Sequence, residues 1–316
     1  MNITGIETLV FGAIDLASCR QYLIDYGLEP SEFNPNRLEA MDGSGVELRS
    51  ADDPTLPAAP SPICQLRQTV MGVASQKDIE AIAIELSKDR EVRRLEDGTI
   101  ESIDDAGYAI AFHVSRRKPL SAVGEISNSP GSPMQRAANR PAVQTSRGRI
   151  QPRSLSHVVY FVHDVVSAEA FYVDRLGFRC TDRFVGVGPF LQPAGTLDHH
   201  THFFIGVPPV VPKGAEHFTF HFGGPTEVLQ NGYRFISEGY QAFWGPGRHI
   251  FGSNWFWYFN SPLGCHVEMD ADMDLHDNAW EPRNAQLSAD NSQAFLLRYR
   301  NRWMPGPNTP HEGDYA

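Results

Sequence analysis

The same order of apolar and polar positions occurs twice along the chain. In ITGIETLVFGAIDLASCRQYLIDYGLEP (3–30) an apolar run predicts a strand, a short polar break follows, and apolar residues at helical spacing then lead to Gly27. A glycine there reads as the helix C-cap that turns the chain into a further strand. PRSLSHVVYFVHDVVSAEAFYVDRLGFRC (152–180) repeats the pattern at an offset of 150, placing Tyr22 on Tyr172 and Gly27 on Gly177. The closing segments also match: DDAGYAIAFHV (104–114) and SPLGCHVEMD (261–270) each set a turn glycine before an alternating strand. A repeat of about 110 residues, of strand–helix–strands type, is a firmer indication of fold than any single element.

Between the repeats, residues 116–152 are rich in Pro, Ser, Gly and Arg, lack apolar periodicity, and carry eight basic residues from Arg116 to Arg153 against one acid, Glu125. This reads as a solvated linker, with a segment wrapping a second subunit as the alternative. Beyond 270, Trp280 and AFLLRYRNRW (294–303) predict a tail that packs down before a frayed end.

Composition narrows the function classes. The 316 residues suffice for two domains of ordinary size, and 41% apolar content supports a core in each. A net charge of −11 argues against non-specific binding to nucleic acid or to an anionic membrane surface. Four cysteines, none in a CxxC pair, read as reduced thiols. No signal peptide is apparent in MNITGIETLV, and no run approaches 18 apolar residues, so the expectation is a soluble, cytoplasmic protein.

Twelve histidines are present, and ten lie between 157 and 276. Strand alternation decides which of them can meet. His157 shares a face with Val159, Phe161 and His163; His217 with Thr219 and His221; His266 with Glu268. Two histidines and a carboxylate on three adjacent strands form the facial triad that binds Fe(II) or Mn(II) and leaves positions open. Alternation alone permits several triads, using 157 or 163 and 217 or 221.

The stretches LSH with AFYVDRLGF, LDHHTHFF, EHFTF and GPGRH…WYFNSPLGCHVE, in that order, resemble the catalytic domain of type I extradiol ring-cleavage dioxygenases, in the vicinal-oxygen-chelate superfamily. Trp257 and Ser261 depart from the usual residues of the signature region, at positions that are not ligands. The resemblance implies an α+β, two-domain vicinal oxygen chelate fold, each domain built of paired βαβββ modules forming an incomplete β-barrel around the site. The expected organisation is a non-catalytic domain 1–115, a linker 116–152, a catalytic metal-binding domain 153–270 and a tail 271–316. Glu7 stands in the place of His157 and Ala111 in that of Glu268, so the first half would have the fold without the ligands.

The same resemblance implies the site. His157, His217 and Glu268 would be the metal ligands, for Fe(II) with Mn(II) as the alternative. His200 would be the acid–base histidine, with His202 its competitor and a candidate for substrate contact; His199 would be a surface or tautomer-fixing neighbour. His249 would contact the substrate hydroxyl or the bound oxygen, and Tyr258 would hydrogen-bond the deprotonated catechol oxygen near the metal. Phe190, Phe203 and Trp255, with Phe243 and Phe256, are candidates to line an aromatic-ring pocket, each also readable as plain core. His163, His221 and His266 read as structural or as supports of the ligands. The implied activity is insertion of both atoms of O2 into a catecholic or trihydroxylated ring beside its hydroxyls, by a homo-oligomer; the alternatives are a non-oxygenase, metal-dependent isomerase or lyase, and a binding protein of the same fold.

Overall fold

The computed structural model describes residues 1–143 and 148–298. Trp303, read as part of a packed tail, lies outside the described residues. Two mixed sheets account for the architecture. The first comprises β1 (Ile3–Ala13), β2 (Glu29–Pro30), β3 (Arg37–Glu39), β4 (Gly45–Ser50), β5 (Leu66–Val73), β6 (Arg93–Arg94), β7 (Ile100–Ile103) and β8 (Ala109–Val114), in the order β2-β3-β4-β1-β5-β8-β7-β6. The second comprises β9 (Ser154–Val162), β10 (Arg179–Val185), β11 (Gly188–Gln192), β12 (His202–Gly206), β13 (Gly214–His221), β14 (Ala242–His249), β15 (Trp255–Phe259), β16 (His266–Ala271), β17 (Arg283–Gln286) and β18 (Gln293–Leu296). Its order is β17-β10-β11-β12-β9-β13-β16-β15-β14-β18.

The internal repeat is written into the pairing. β1 lies parallel to β4 and antiparallel to β5, which is parallel to β8; β9 stands in the same relation to β12, β13 and β16. Each repeat opens with a strand and a helix: α1 (Leu16–Tyr26) after β1, and α3 (Val165–Ala170) after β9. Asp15 caps α1 by accepting from Ser18 N, and Asp164 caps α3 by accepting from Val166 N and Ser167 N. From cap to positive-φ glycine is twelve residues in the first repeat (Asp15 to Gly27) and thirteen in the second (Asp164 to Gly177). The extra residue is taken up by a π-turn over Phe171–Arg175, the form in which a helix absorbs a one-residue insertion. At Gly27 a side chain is excluded twice over, by φ of +137° and by a Cβ that would meet Ile150 O at 2.4 Å.

One continuous core draws apolar side chains from both halves. Phe11 and Phe218 bring their rings to 5.4 Å across it, and the Thr69 and Tyr160 hydroxyls meet at 2.6 Å. Tyr108 Oη donates to Phe161 O at 2.7 Å, and Tyr26 Oη donates to Glu268 O at 2.6 Å. Alternation along β9 therefore splits its side chains. Val158, Tyr160 and Val162 enter the shared core, whereas His157 and Val159 line a cavity on the other face. Two further helices, α2 (Gln76–Leu86) and α4 (Pro225–Ser237), cover the sheets; Gly232 of α4 lets the Trp257 ring approach where a Cβ would lie 2.2 Å from it.

The segment from 271 onward, expected as a separate tail, contributes β17 and β18 to opposite edges of the second sheet, with the short α5 (Ala289–Ser292) between them. Among the described residues no helix is long and apolar enough to cross a membrane.

Candidate metal centre

Three neighbouring strands each present one ligand atom at the cavity floor. β13 pairs with β9 through His217 opposite Val159, and with β16 through Thr219 opposite Glu268. This brings His157, His217 and Glu268, all buried, to one point. His157 Nε2 lies 3.1 Å from Glu268 Oε2 and 3.3 Å from His217 Nε2, and the third edge, His217 Nε2 to Glu268 Oε2, is 3.5 Å. Two ligand atoms about 2.1 Å from one ion, at right angles, are about 3.0 Å apart, so the triangle fits a single divalent cation bound on one face. Glu268 Oε1 is buried without a hydrogen-bond partner, an acceptor that a cation would satisfy. Thr219 Oγ1 donates to Glu268 Oε2 at 2.5 Å and lies 2.9 Å from His157 Nε2, helping to hold both side chains.

The outer nitrogens of both histidines are engaged. His157 Nδ1 meets Ser156 Oγ at 2.9 Å, with Asp270 Oδ2 3.5 Å beyond. His217 Nδ1 contacts Glu216 Oε2, whose other oxygen takes His266 Nδ1 at 2.9 Å. Such contacts fix ring orientation and leave Nε2 for a metal. Burial opposes charge on His217, but Glu216 beside it outweighs burial and raises its pKa; His157, where burial dominates, is lowered. Burial also opposes charge on Glu268, yet His157, His249 and His217 together hold it well below the usual carboxylate range.

The cavity above the triad measures about 280 Å³, near the small end of ligand sites. Phe190 and Phe203 form one wall, their rings parallel at 4.1 Å, continued by Phe184 and Phe251. Trp244 and Phe243 stand toward the exposed side. No Lys or Arg lines it among the described residues. The polar groups gather at the metal end: His200 with its ring 4.2 Å from that of His157, Tyr258 with its ring 4.9 Å from that of His217, and His249, whose Nε2 is 3.2 Å from Tyr258 Oη and 3.6 Å from Glu268 Oε1. His249 is held from behind by Ser292 O, 3.0 Å from its Nδ1. Burial keeps the Tyr258 hydroxyl protonated far above its ordinary range and His200 neutral far below its own.

Two expected residues are placed elsewhere. His202 does not reach the cavity: it opens β12 and turns into the core between Tyr172 (5.0 Å) and Phe178 (5.3 Å), with its Nε2 unpartnered and its pKa pushed by burial down to about 3. The chain bends through His199–Thr201 before the strand begins, so the alternation that would set His200 and His202 on one face does not apply. Trp255 also faces away. Phe256 and Tyr258 take the inner side of β15, and Trp255 packs outside against Arg248 and Phe295. His199, read as a surface or tautomer-fixing neighbour, is fully buried; His163 sits outside the site, bonded to Val211 O. His221 pairs with Asp270 at 2.7 Å, and His266 stacks on Phe243 at 3.8 Å. Sequence reasoning missed Glu216 and Ser156, although each immediately precedes a ligand histidine, and it missed Asp182.

Residues 154–269 match the profile of the Glyoxalase/Bleomycin resistance protein/Dioxygenase superfamily. A curated relative, Metapyrocatechase 2 of Cupriavidus necator, is 35% identical over 149 residues, 47% of this chain and 44% of that protein, so the chain spans less than half of its length. Among solved structures, the Mn(II)-bound glyoxalase of Novosphingobium aromaticivorans superposes with a TM-score of 0.69 at 19% identity, over 92% of this chain and 90% of that one. The halotolerant catechol dioxygenase BphC gives 0.70 at 16% identity, over 93% and 94%. At these identities the structural matches establish the fold.

Proposed function

We propose that the protein is an extradiol ring-cleaving dioxygenase acting on a catechol that carries an uncharged, apolar substituent. The observation that carries this reading is the His157–His217–Glu268 triad opening into an apolar cavity beside three proton-handling side chains, His200, His249 and Tyr258. The 35% identity to a metapyrocatechase supports it. His157, His217 and Glu268 would hold a divalent metal, Fe(II) in this reading, with Mn(II) accepting the same ligands. Such an ion, when bound, supplies the redox link between the ring diol and dioxygen.

The chain's own residues supply the rest. The ring lies against Phe190 and Phe203, its hydroxyls toward the triad. Tyr258, held protonated, donates a hydrogen bond to a diol oxygen, and His249 at 3.2 Å from it sets the direction of that bond. His200, held neutral, accepts one catechol proton and returns it when the oxygen–oxygen bond breaks. The carbon–carbon bond beside the diol is cleaved, and both oxygen atoms remain in the product. A ring carboxylate would find no Lys or Arg among the described residues of the walls and would be buried unpaired, at a cost of several kcal/mol; alkyl, halogen or aryl substituents suit the mainly apolar walls of Phe184, Phe190, Phe203 and Phe251. Assembly into a homo-oligomer in a cytoplasmic setting is part of the same reading.

Oxygen uptake by the Fe(II)-loaded protein, against alkyl-, aryl- and carboxyl-substituted catechols, tests it. Uptake one-to-one with a yellow product from the apolar catechols, and at least about 10²-fold weaker kcat/KM for the carboxylated ones, is the expected result. Glu268→Gln should lose iron. No uptake with any ring by iron-loaded protein would shift the reading to an isomerase, a lyase or a binding protein of the same superfamily.

A further inference from the structure

Behind His200 lies a line of groups that the proposed reaction does not by itself require. His200 Nδ1 is 3.0 Å from His199 Nδ1, and His199 Nε2 is 2.8 Å from Asp182 Oδ2. Asp182 is completely buried on β10, seventeen residues from His199. Its Oδ1 accepts from Arg283 N at 2.9 Å and Arg283 Nε at 3.0 Å, and its Oδ2 accepts from Arg283 Nη2 at 2.5 Å. Arg283 belongs to β17, which pairs alongside β10, and its guanidinium rests over the Trp280 and Phe251 rings. The aspartate is thereby kept ionised: burial opposes its charge, but His199 and Arg283 outweigh it.

Hydrogen-bond logic then runs in one direction. An ionised carboxylate only accepts, so His199 presents its proton on Nε2. A neutral imidazole has one N–H, which leaves His199 Nδ1 as a lone pair. The 3.0 Å contact between the two Nδ1 atoms needs one donor, and that donor must be His200. We propose that Asp182 and His199 are positioning residues that lock His200 as the Nδ1–H tautomer, so that a lone pair on Nε2 faces the cavity as the proton acceptor. When His200 takes the catechol proton it becomes an imidazolium that still donates from Nδ1, and the Asp182 carboxylate two bonds away offsets its charge; no electrons move in this step. The identity of the proton rests on the dioxygenase reading, whereas the tautomer does not.

Asp182→Asn reverses the chain while keeping the side chain's shape. Arg283 takes the amide oxygen, the amide N–H₂ turns to His199 Nε2, His199 then donates from Nδ1, and His200 is left with its proton on Nε2, unable to act as a base. The experiment is 15N-edited NMR of the histidine rings in full-length protein loaded with Zn(II), which is diamagnetic, together with steady-state kinetics of the Fe(II) form. The expected result is His200 protonated on Nδ1 in the wild type and on Nε2 in the variant, with kcat lower by on the order of 10²–10⁴ and with KM and iron content unchanged. His200 protonated on Nε2 in the wild type overturns the proposal without any variant being needed. A tautomer unmoved by Asp182→Asn, or one that flips with kcat intact, overturns it as well. If the tautomers behave as expected but no catechol is turned over by the wild type, the lock stands and the dioxygenase reading fails.

Discussion

Asp104 offers a quantitative test of how the two halves of the chain are joined. It lies on the turn between β7 and β8, fully buried, accepting from Tyr108 N at 2.8 Å and, across to the second repeat, from Tyr172 Oη at 3.0 Å. Among the described residues no cation offsets it, and burial pushes its pKa from 3.8 up to about 6, only partly resisted by hydrogen bonds such as these. A carboxyl group whose pKa is raised on folding favours the folded state while protonated, and that contribution is lost as pH rises through the folded value. A shift of about two units corresponds to ~3 kcal/mol, fully felt above pH ~7 and reduced to ~1 kcal/mol at pH ~4.5. Asp104→Asn keeps the acceptor for Tyr108 N, and its amide can donate to the Tyr172 hydroxyl, which can turn to accept. The variant should therefore be more stable than the wild type at pH 7.5, with the gap shrinking by ~2 kcal/mol at pH 4.5. Urea titrations of both proteins at the two pH values, read as midpoint shifts at constant slope, measure this directly. All other groups titrate alike in the pair, so a gap of the same size at both pH values, or a less stable variant at pH 7.5, would refute the reasoning.

Two further outcomes separate the roles of residues at the site. Tyr258→Phe should retain iron, because Tyr258 belongs to no ligand pair, while kcat falls by about 10-fold or more through the lost hydrogen bond; iron assay alongside oxygen-electrode rates checks both. His202→Phe should leave iron content and kcat per folded molecule within about two-fold of wild type, since His202 sits among core aromatics and contributes no atom to the cavity; rates like those of an acid–base knockout would contradict its placement.

Much of this arrangement was legible in the sequence because strands obey a period of two. His157, His217 and Glu268 each lie within a regular strand, so alternation narrowed the ligands to a few triads, and the resemblance of the motifs chose among them. The same rule misled where the backbone leaves the strand: His200 is set by a bend, and only from His202 onward does alternation resume. Trp255 was misjudged for a different reason, since an aromatic-rich strand such as WFWYF has no polar residue to mark its outer face. Asp182 and Arg283 are 101 residues apart, and neither carries a local motif, so their pairing emerges only when β17 docks on β10. β17 and β18 are four residues each, with too little apolar pattern to announce an edge strand.

Those two short strands have a mechanical consequence. The second sheet is open by hydrogen bonding, since its first and last strands are β17 and β18. By covalent connection it is a ring, because only residues 287–292 separate one edge from the other. Seven Cα steps of fully extended chain reach at most about 25 Å, and the turn of α5 within them shortens that reach. The tail is thus a drawstring across the cavity mouth, with Leu287 and Ser292 on its inner side, and it sets an upper bound on how far the cup can gape while both edges remain paired. Cutting anywhere in those six residues would leave every ligand in place and free the rim.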